Sequence, residues 1–138
     1  MVRLSRRGAR TLLVGLTLIT APAAAGEIVG KVARVADGDT FTIGRTRIRL
    51  CGIQAPERRD PGGPAATAMM RRLIAGRTIR CIPVGEGTPC DGSSPHASHD
   101  RVVAQCFAGS RDLAEAMVRA GRADDWPRFS GGAYASDR

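Results

Sequence analysis

The chain has 138 residues, 43% hydrophobic and 25% charged, with 21 lysines and arginines against 13 acidic residues and a formal charge of +8. That length holds one ordinary domain, and it leaves no room for two once an N-terminal leader is set aside. A chain of this size can bury roughly two-thirds of its unfolded surface in a core of its own, and no apolar run reaches the roughly eighteen residues of a membrane-spanning helix.

The first 25 residues have the order of an export signal. Arg3, Arg6, Arg7 and Arg10 form a basic start, Leu12 to Ile19 is apolar, and Ala21-Pro22-Ala23-Ala24-Ala25 supplies small residues for cleavage after Ala25. Ser5-Arg6-Arg7 carries a twin arginine, but the apolar run does not follow it directly, so Sec-type export is expected. Residues 1–25 are therefore read as a signal peptide and 26–138 as a single mature domain. The expected location is the periplasm or the medium, as a monomer without stable membrane insertion. Four arginines leave with the signal, so the formal charge drops from +8 to +4. A residual excess carried almost wholly by arginine suits a polyanionic partner without requiring one.

Cys51, Cys81, Cys90 and Cys106 make an even set in an exported chain, which favours disulfides. There is no Cys-x-x-Cys pair and neither histidine adjoins a cysteine, so zinc is not expected. Four cysteines allow three connectivities. Cys81–Cys106 with Cys51–Cys90 is favoured because Cys81 and Cys106 fall in strands expected to be neighbours; Cys81–Cys90 with Cys51–Cys106 stays open.

Along the mature chain, Ile28 to Val35 alternates well enough for a strand. Asp37-Gly38 is a turn signal, Thr40 to Ile43 resumes the strand period, and Thr46 to Cys51 follows after Gly44-Arg45, completing a three-stranded meander. Ile48 and Leu50 share one face of the third strand, while Arg45, Arg47 and Arg49 take the other. Pro56 to Pro64 is irregular. Pro64 suits the first turn of a helix through Ala75, with Ala66, Met69, Met70, Leu73 and Ile74 on its apolar face and Gly76 closing it. Arg77 to Val84 reads as a fourth strand and Gly85 to His99 as a long polar loop. Arg101 to Phe107 is a fifth strand. Asp112 caps a helix that runs through Ala120. The tail from Trp126 to Gly132 is read as irregular, with fraying beyond Tyr134, and Trp126 and Phe129 are expected to seal one end of the fold.

The order β-β-β-α-β-α makes the fold mainly β (α+β). A five-stranded OB-fold Greek-key barrel with two to three helices has this order, and such barrels commonly bind oligonucleotides.

One stretch, Lys31 to Glu57, carries most of the chemistry. An acidic turn, Asp37-Gly38-Asp39-Thr40, is followed by Arg49 on a strand and Glu57 just past Pro56. Carboxylates suit a hard cation, a guanidinium suits phosphate oxygens, and a glutamate can act as base. Taken with Ala55-Pro56-Glu57 and Asp100-Arg101-Val102-Val103-Ala104, this pattern resembles the thermonuclease (staphylococcal nuclease-like) family from Ile28 to about Gly121. The resemblance implies an OB barrel and calcium-dependent cleavage of single- or double-stranded DNA and of RNA, without sequence specificity, leaving 3′-phosphates. It places catalytic roles on Arg49, Glu57 and Arg101, and calcium ligation on Asp39, Gln54 and the Ala55 carbonyl. His99 falls at a position where the family contacts phosphate or base, while Arg47, on the solvent face of its strand, is expected to bind substrate by steering the polyanion.

The chain departs from the family pattern at two places. Gln54 stands where the family carries a second calcium-binding aspartate, which removes a charge from the site and implies weaker calcium binding. Ser98-His99-Asp100 precedes Arg101 where a tyrosine-glycine pair is usual. Both departures also suit an alternative reading, a catalytically weakened or inactive OB module that binds nucleic acid or another ligand.

Overall fold

The computed structural model describes residues 26–136; the expected signal peptide lies outside the described residues. The chain forms β1 (Ile28–Gly30), β2 (Val32–Asp37), β3 (Thr40–Ile43), β4 (Thr46–Leu50), β5 (Ile53–Gln54) and α1 (Gly63–Ile74). It continues through β6 (Ile79–Pro83), β7 (Ala97–Ser98), β8 (Arg101–Ala108), β9 (Arg111–Asp112), α2 (Leu113–Arg119), β10 (Asp124–Asp125) and α3 (Pro127–Ser130).

The run expected as one strand from Ile28 to Val35 is split at Lys31, and the split is what closes the sheet. β1 pairs antiparallel with β6, whereas β2 pairs antiparallel with β3 and carries register shifts between Val32 and Arg34 and between Val35 and Asp37. The main path runs β1-β6-β8-β4-β3-β2, so consecutive segments of chain occupy both of its edges. Bulges bend and twist a strand, which lets one run turn from one side of a barrel to the other. The result is the mostly-β, curled barrel of an OB fold with three helices.

Alternation fills the interior. Phe41, Ile48, Leu50, Ile79, Cys81 and Cys106 are fully buried between the strands, and Ala66, Met70, Leu113 and Met117 close over them from α1 and α2. α1 begins after Gly62, whose φ of 82° suits glycine, and Pro64 sits in its first turn. α2 is capped as expected: the Asp112 side chain accepts from the Ala114 N–H at 2.8 Å and the Glu115 N–H at 3.4 Å. The disulfides are Cys51–Cys90 and Cys81–Cys106, the favoured pairing, with Cys81 opposite Cys106 in the β6–β8 register.

Two expectations about the tail are corrected. The stretch read as irregular from Trp126 to Gly132 carries the one-turn helix α3, and Tyr134 just after it is buried, its hydroxyl donating to Asp112 at 3.0 Å and tying the tail to the start of α2. Trp126 does not seal the barrel; it remains 39% exposed, packed edge-on against Phe129 with ring centroids 4.6 Å apart. A buried tryptophan needs a surrounding wall and a partner for its indole N–H. Here α3 is a single turn on the barrel's rim, and it leaves one side of the ring open.

Candidate active site

The acidic turn is built by glycine and closed by hydrogen bonds. A Cβ on Gly38 would lie 2.8 Å from the Ala66 Cβ and 2.9 Å from the Ala55 Cβ, so only glycine lets the turn rest on α1 and the β5 exit. The Asp39 N–H donates to Asp37 Oδ1 at 3.2 Å, an Asx-type closure, and the Leu50 N–H donates to the Asp39 carbonyl at 2.8 Å. Asp37 is thus a turn residue, while the Asp39 side chain points inward and is only 4% exposed.

Strand register then sets the neighbours. Thr40 lies opposite Arg49 across β3–β4, and Arg49 lies opposite Val103 across the parallel β4–β8 pair. Arg101 precedes Val103 by two residues on β8, so its side chain takes the same face of the sheet. Thr40, Arg49 and Arg101, distant in sequence, therefore share one face.

Arg49 is held on three sides. Its Nη1 is 2.8 Å from Asp39 Oδ2 and 3.3 Å from the Leu50 carbonyl, while Nη2 donates to the Ile53 carbonyl at 3.1 Å and to Gln54 Oε1 at 3.0 Å. Arg101 donates through Nη1 to Thr40 Oγ1 at 3.4 Å and through Nη2 and Nε to Ser98 Oγ and the Ser98 carbonyl, both at 3.3 Å. Thr40 in turn donates to Asp39 Oδ1 at 2.9 Å, and the Ala55 N–H donates to Asp39 Oδ2 at 2.9 Å. Both guanidinium groups are thereby referred to one buried carboxylate, Arg49 directly and Arg101 through Thr40. The linking roles of Thr40 and Ser98 escaped the sequence reading, because neither residue type signals a positioning role without the register.

Burial pushes the Asp39 carboxyl up to about 6 from its ordinary 3.8, against the pull of the Arg49 charge and the Ala55 N–H; a hydrogen bond with Asp37 and its charge reinforce the rise. Taking a carboxylate out of water outweighs one adjacent guanidinium.

Gln54 is exposed and Ala55 buried beside Asp39, and Gln54 Nε2 donates to the Ala55 carbonyl at 3.4 Å. Asp124 lies directly opposite Gln54 in the β5–β10 pair, which the sequence reading did not anticipate because each strand has only two residues. Glu57 is exposed in the loop before α1, and its side chain makes no hydrogen bond or ion pair among the described residues. That loop is fixed by its backbone: the Asp60 N–H donates to the Glu57 carbonyl at 2.9 Å, and a Cβ on Gly63 would come within 1.9 Å of the same oxygen. Arg47 is exposed and paired with Asp100. His99 occupies the two-residue turn between β7 and β8 at φ 55°, exposed beside Arg101 in sequence. Arg49 also borders a cleft of about 140 Å³ shared with Ser98, Val103, Trp126 and Phe129.

Oxygen donors for a hard cation are present but few. Asp39, Gln54 Oε1 and the Ala55 carbonyl offer three with one formal charge, whereas calcium takes roughly six to eight. Among the described residues, no group of three or more His, Cys, Asp or Glu side chains gathers to hold a metal ion. Arg49 already contacts both Asp39 and Gln54, so any cation there competes with a guanidinium. These oxygens are of the kind that calcium takes, and Arg49 occupies two of the three groups that carry them.

Comparison with known proteins places the chain in a family. Residues 47–130 match the family described as staphylococcal nuclease homologue, a span that includes Arg49, Gln54, Glu57 and Arg101. The chain is 32% identical over 113 residues to an Escherichia coli protein named "Uncharacterized endonuclease", covering 78% of this chain and 67% of that one. It is 40% identical over 68 residues to a protein of the same name from Escherichia coli O157:H7, covering 46% of this chain and 44% of that one. The succinoglycan biosynthesis protein ExoI of Rhizobium meliloti is 29% identical over 97% of this chain and 72% of its own length.

Proposed function

Because the chain belongs to the staphylococcal nuclease homologue family, we propose that it is an exported endonuclease that cleaves DNA and RNA by attack of water on phosphorus. The observation that carries this reading is the convergence of Arg49 and Arg101 on the Asp39–Thr40 pair. Two guanidinium groups anchored from behind, on one face of the sheet, can meet the oxygens of a phosphodiester with little loss of side-chain entropy. Charge grows on those oxygens as water attacks, and preplaced cations stabilise it most where they need not reorganise.

Glu57 is the proposed base. Its carboxylate is uncommitted within the described residues and takes the proton from the attacking water. The new phosphorus–oxygen bond forms as the bond to the 5′ oxygen breaks, leaving the phosphate on the 3′ side. Calcium dependence is the finer part of the reading and rests on the family resemblance. Asp39, Gln54 and the Ala55 carbonyl would hold the ion, and it would supply Lewis-acid polarisation of a phosphate oxygen. With one charge among those donors, the requirement is for high calcium.

Export is supported by the N-terminal pattern and by two disulfides in a chain of this size. No described helix is long and apolar enough to cross a membrane.

A second reading has its own observation: Arg49 ties up both Asp39 and Gln54, as in a nucleic-acid-binding OB module without turnover. Incubating the purified mature protein with single-stranded DNA, in millimolar calcium and then in chelator, separates the two. Cleavage that stops with chelator supports the nuclease. Binding that survives both chelator and Arg49→Ala, with no cleavage under any condition, supports the module.

A further inference from the structure

Away from the Arg49 site, a shallow groove of about 330 Å³ runs between β2 and the C-terminal end of α1. Lys31, Arg34, Arg71 and Arg77 line it, and no carboxylate does. Arg34, Arg71 and Arg77 are exposed, and none makes a hydrogen bond or ion pair among the described residues. Lys31 Nζ donates to the Gly76 carbonyl at 3.2 Å, which holds its charge at the rim.

The plain alternative is helix-dipole compensation, since Arg71 and Arg72 occupy the last turn of α1. That accounts for Arg71. It does not account for Arg34, which reaches the groove from β2, or for Arg77, which lies beyond the helix. Arg47, Arg80 and Arg119 elsewhere on the surface face Asp100, Glu27 and Glu115, whereas the lining of this groove offers its cations no acid at all. Four cations gathered without a carboxylate repel one another, and the arrangement relaxes when an anion enters.

We propose that this groove is a second phosphate-binding surface, holding the backbone of the nucleic-acid chain several nucleotides from the bond being cleaved. The proposal rests on the nuclease reading for the identity of the polyanion. The placement supports it, because β2 leads directly from the groove into the acidic turn. Arg34 precedes Asp39 by five residues, about 16 Å of strand, which an extended single strand covers with several phosphates. A trinucleotide in the Arg49 site therefore falls short of the groove, while a 16-mer spans both.

The test uses the mature protein, a fluorescent 16-mer and a fluorescent trinucleotide of single-stranded DNA, both in chelator so that binding is read without cleavage. Arg34→Ser/Arg71→Ser/Arg77→Ser is expected to weaken 16-mer binding at least tenfold at low salt. It should also make the slope of log K against log salt shallower by about 2, three phosphate contacts at roughly 0.7 each, and leave the trinucleotide unchanged. Arg34→Lys/Arg71→Lys/Arg77→Lys keeps the charge and should restore both affinity and slope. A serine variant that binds the 16-mer with wild-type affinity and slope overturns the groove alone and leaves the nuclease reading intact. Wild-type protein that binds neither oligonucleotide overturns both. Loss of binding to anionic phospholipid vesicles in the serine variant, with 16-mer binding unaltered, overturns the proposal in favour of a membrane surface.

Discussion

The Arg49 guanidinium lies 2.8 Å from the Asp39 carboxylate, yet burial of the acid, rather than this pairing, dominates its titration. Arg49 keeps its place through carbonyl oxygens as much as through the acid, so it can turn part of its charge towards a phosphate without losing its anchor.

Removing the arginine leaves a buried acid with no opposing charge. Arg49→Ala is expected to cost about 3–5 kcal/mol of stability, measured by urea unfolding at pH 7.5. The double variant Arg49→Ala/Asp39→Asn should recover most of that loss, since the penalty belongs to the stranded charge. Arg49→Lys should fold normally and lower kcat by about 10² or more, because an ammonium cannot keep the carbonyl anchors and meet a phosphate together.

The raised Asp39 carboxyl has a signed consequence. Between pH 4 and about 6 the folded protein holds a proton there that the unfolded chain has released, so this group's contribution to stability falls as pH rises through that window and is level above it. Asp91 acts oppositely and lower: hydrogen bonds from Thr88 and Gly85 hold its carboxyl down to about 2, so its contribution is lost as pH falls from about 4 towards 2. Thermal melts of wild type and Asp39→Asn should therefore diverge across pH 4–6, with the variant gaining relative stability as pH rises. Cleavage by the wild type should climb through pH 6 as Asp39 ionises.

Calcium affinity should respond to one residue. Gln54→Asp places a second charge beside Asp39 and is expected to tighten calcium binding at least tenfold, about 1.4 kcal/mol, in direct calorimetric titration. An unchanged titration would remove residue 54 from the ligand set.

The disulfides should differ in what they protect. Cys51–Cys90 closes 39 residues and Cys81–Cys106 closes 25, so losing either costs about 3.5–4 kcal/mol on chain-entropy grounds. Cys51 lies between Leu50 and Ile53, whose carbonyls anchor Arg49. Replacing the Cys51–Cys90 pair with serines should lower kcat at a temperature where both variants are folded, while replacing Cys81–Cys106 should not.

His99 takes φ 55° in a two-residue turn, a conformation that suits glycine. His99→Gly should stabilise the fold by about 1 kcal/mol in thermal melts by relieving that strain.

Local sequence determined most of the elements. Alternation placed the barrel strands, proline and glycine bounded α1, and Asp112 announced the cap of α2, because these signals act within a few residues of where they are written. The Asp39, Arg49 and Glu57 candidates were legible for a similar reason, since their motifs keep fixed spacing. Contacts between distant segments were not. The break at Lys31 shows only once one run must serve both edges of a barrel. The convergence of Arg49 and Arg101 depends on a parallel strand pair joining residues about fifty positions apart. Asp124 opposite Gln54, Thr40 between two guanidinium groups, and the open flank of Trp126 likewise depend on register and burial, which long-range packing decides and local propensity does not encode.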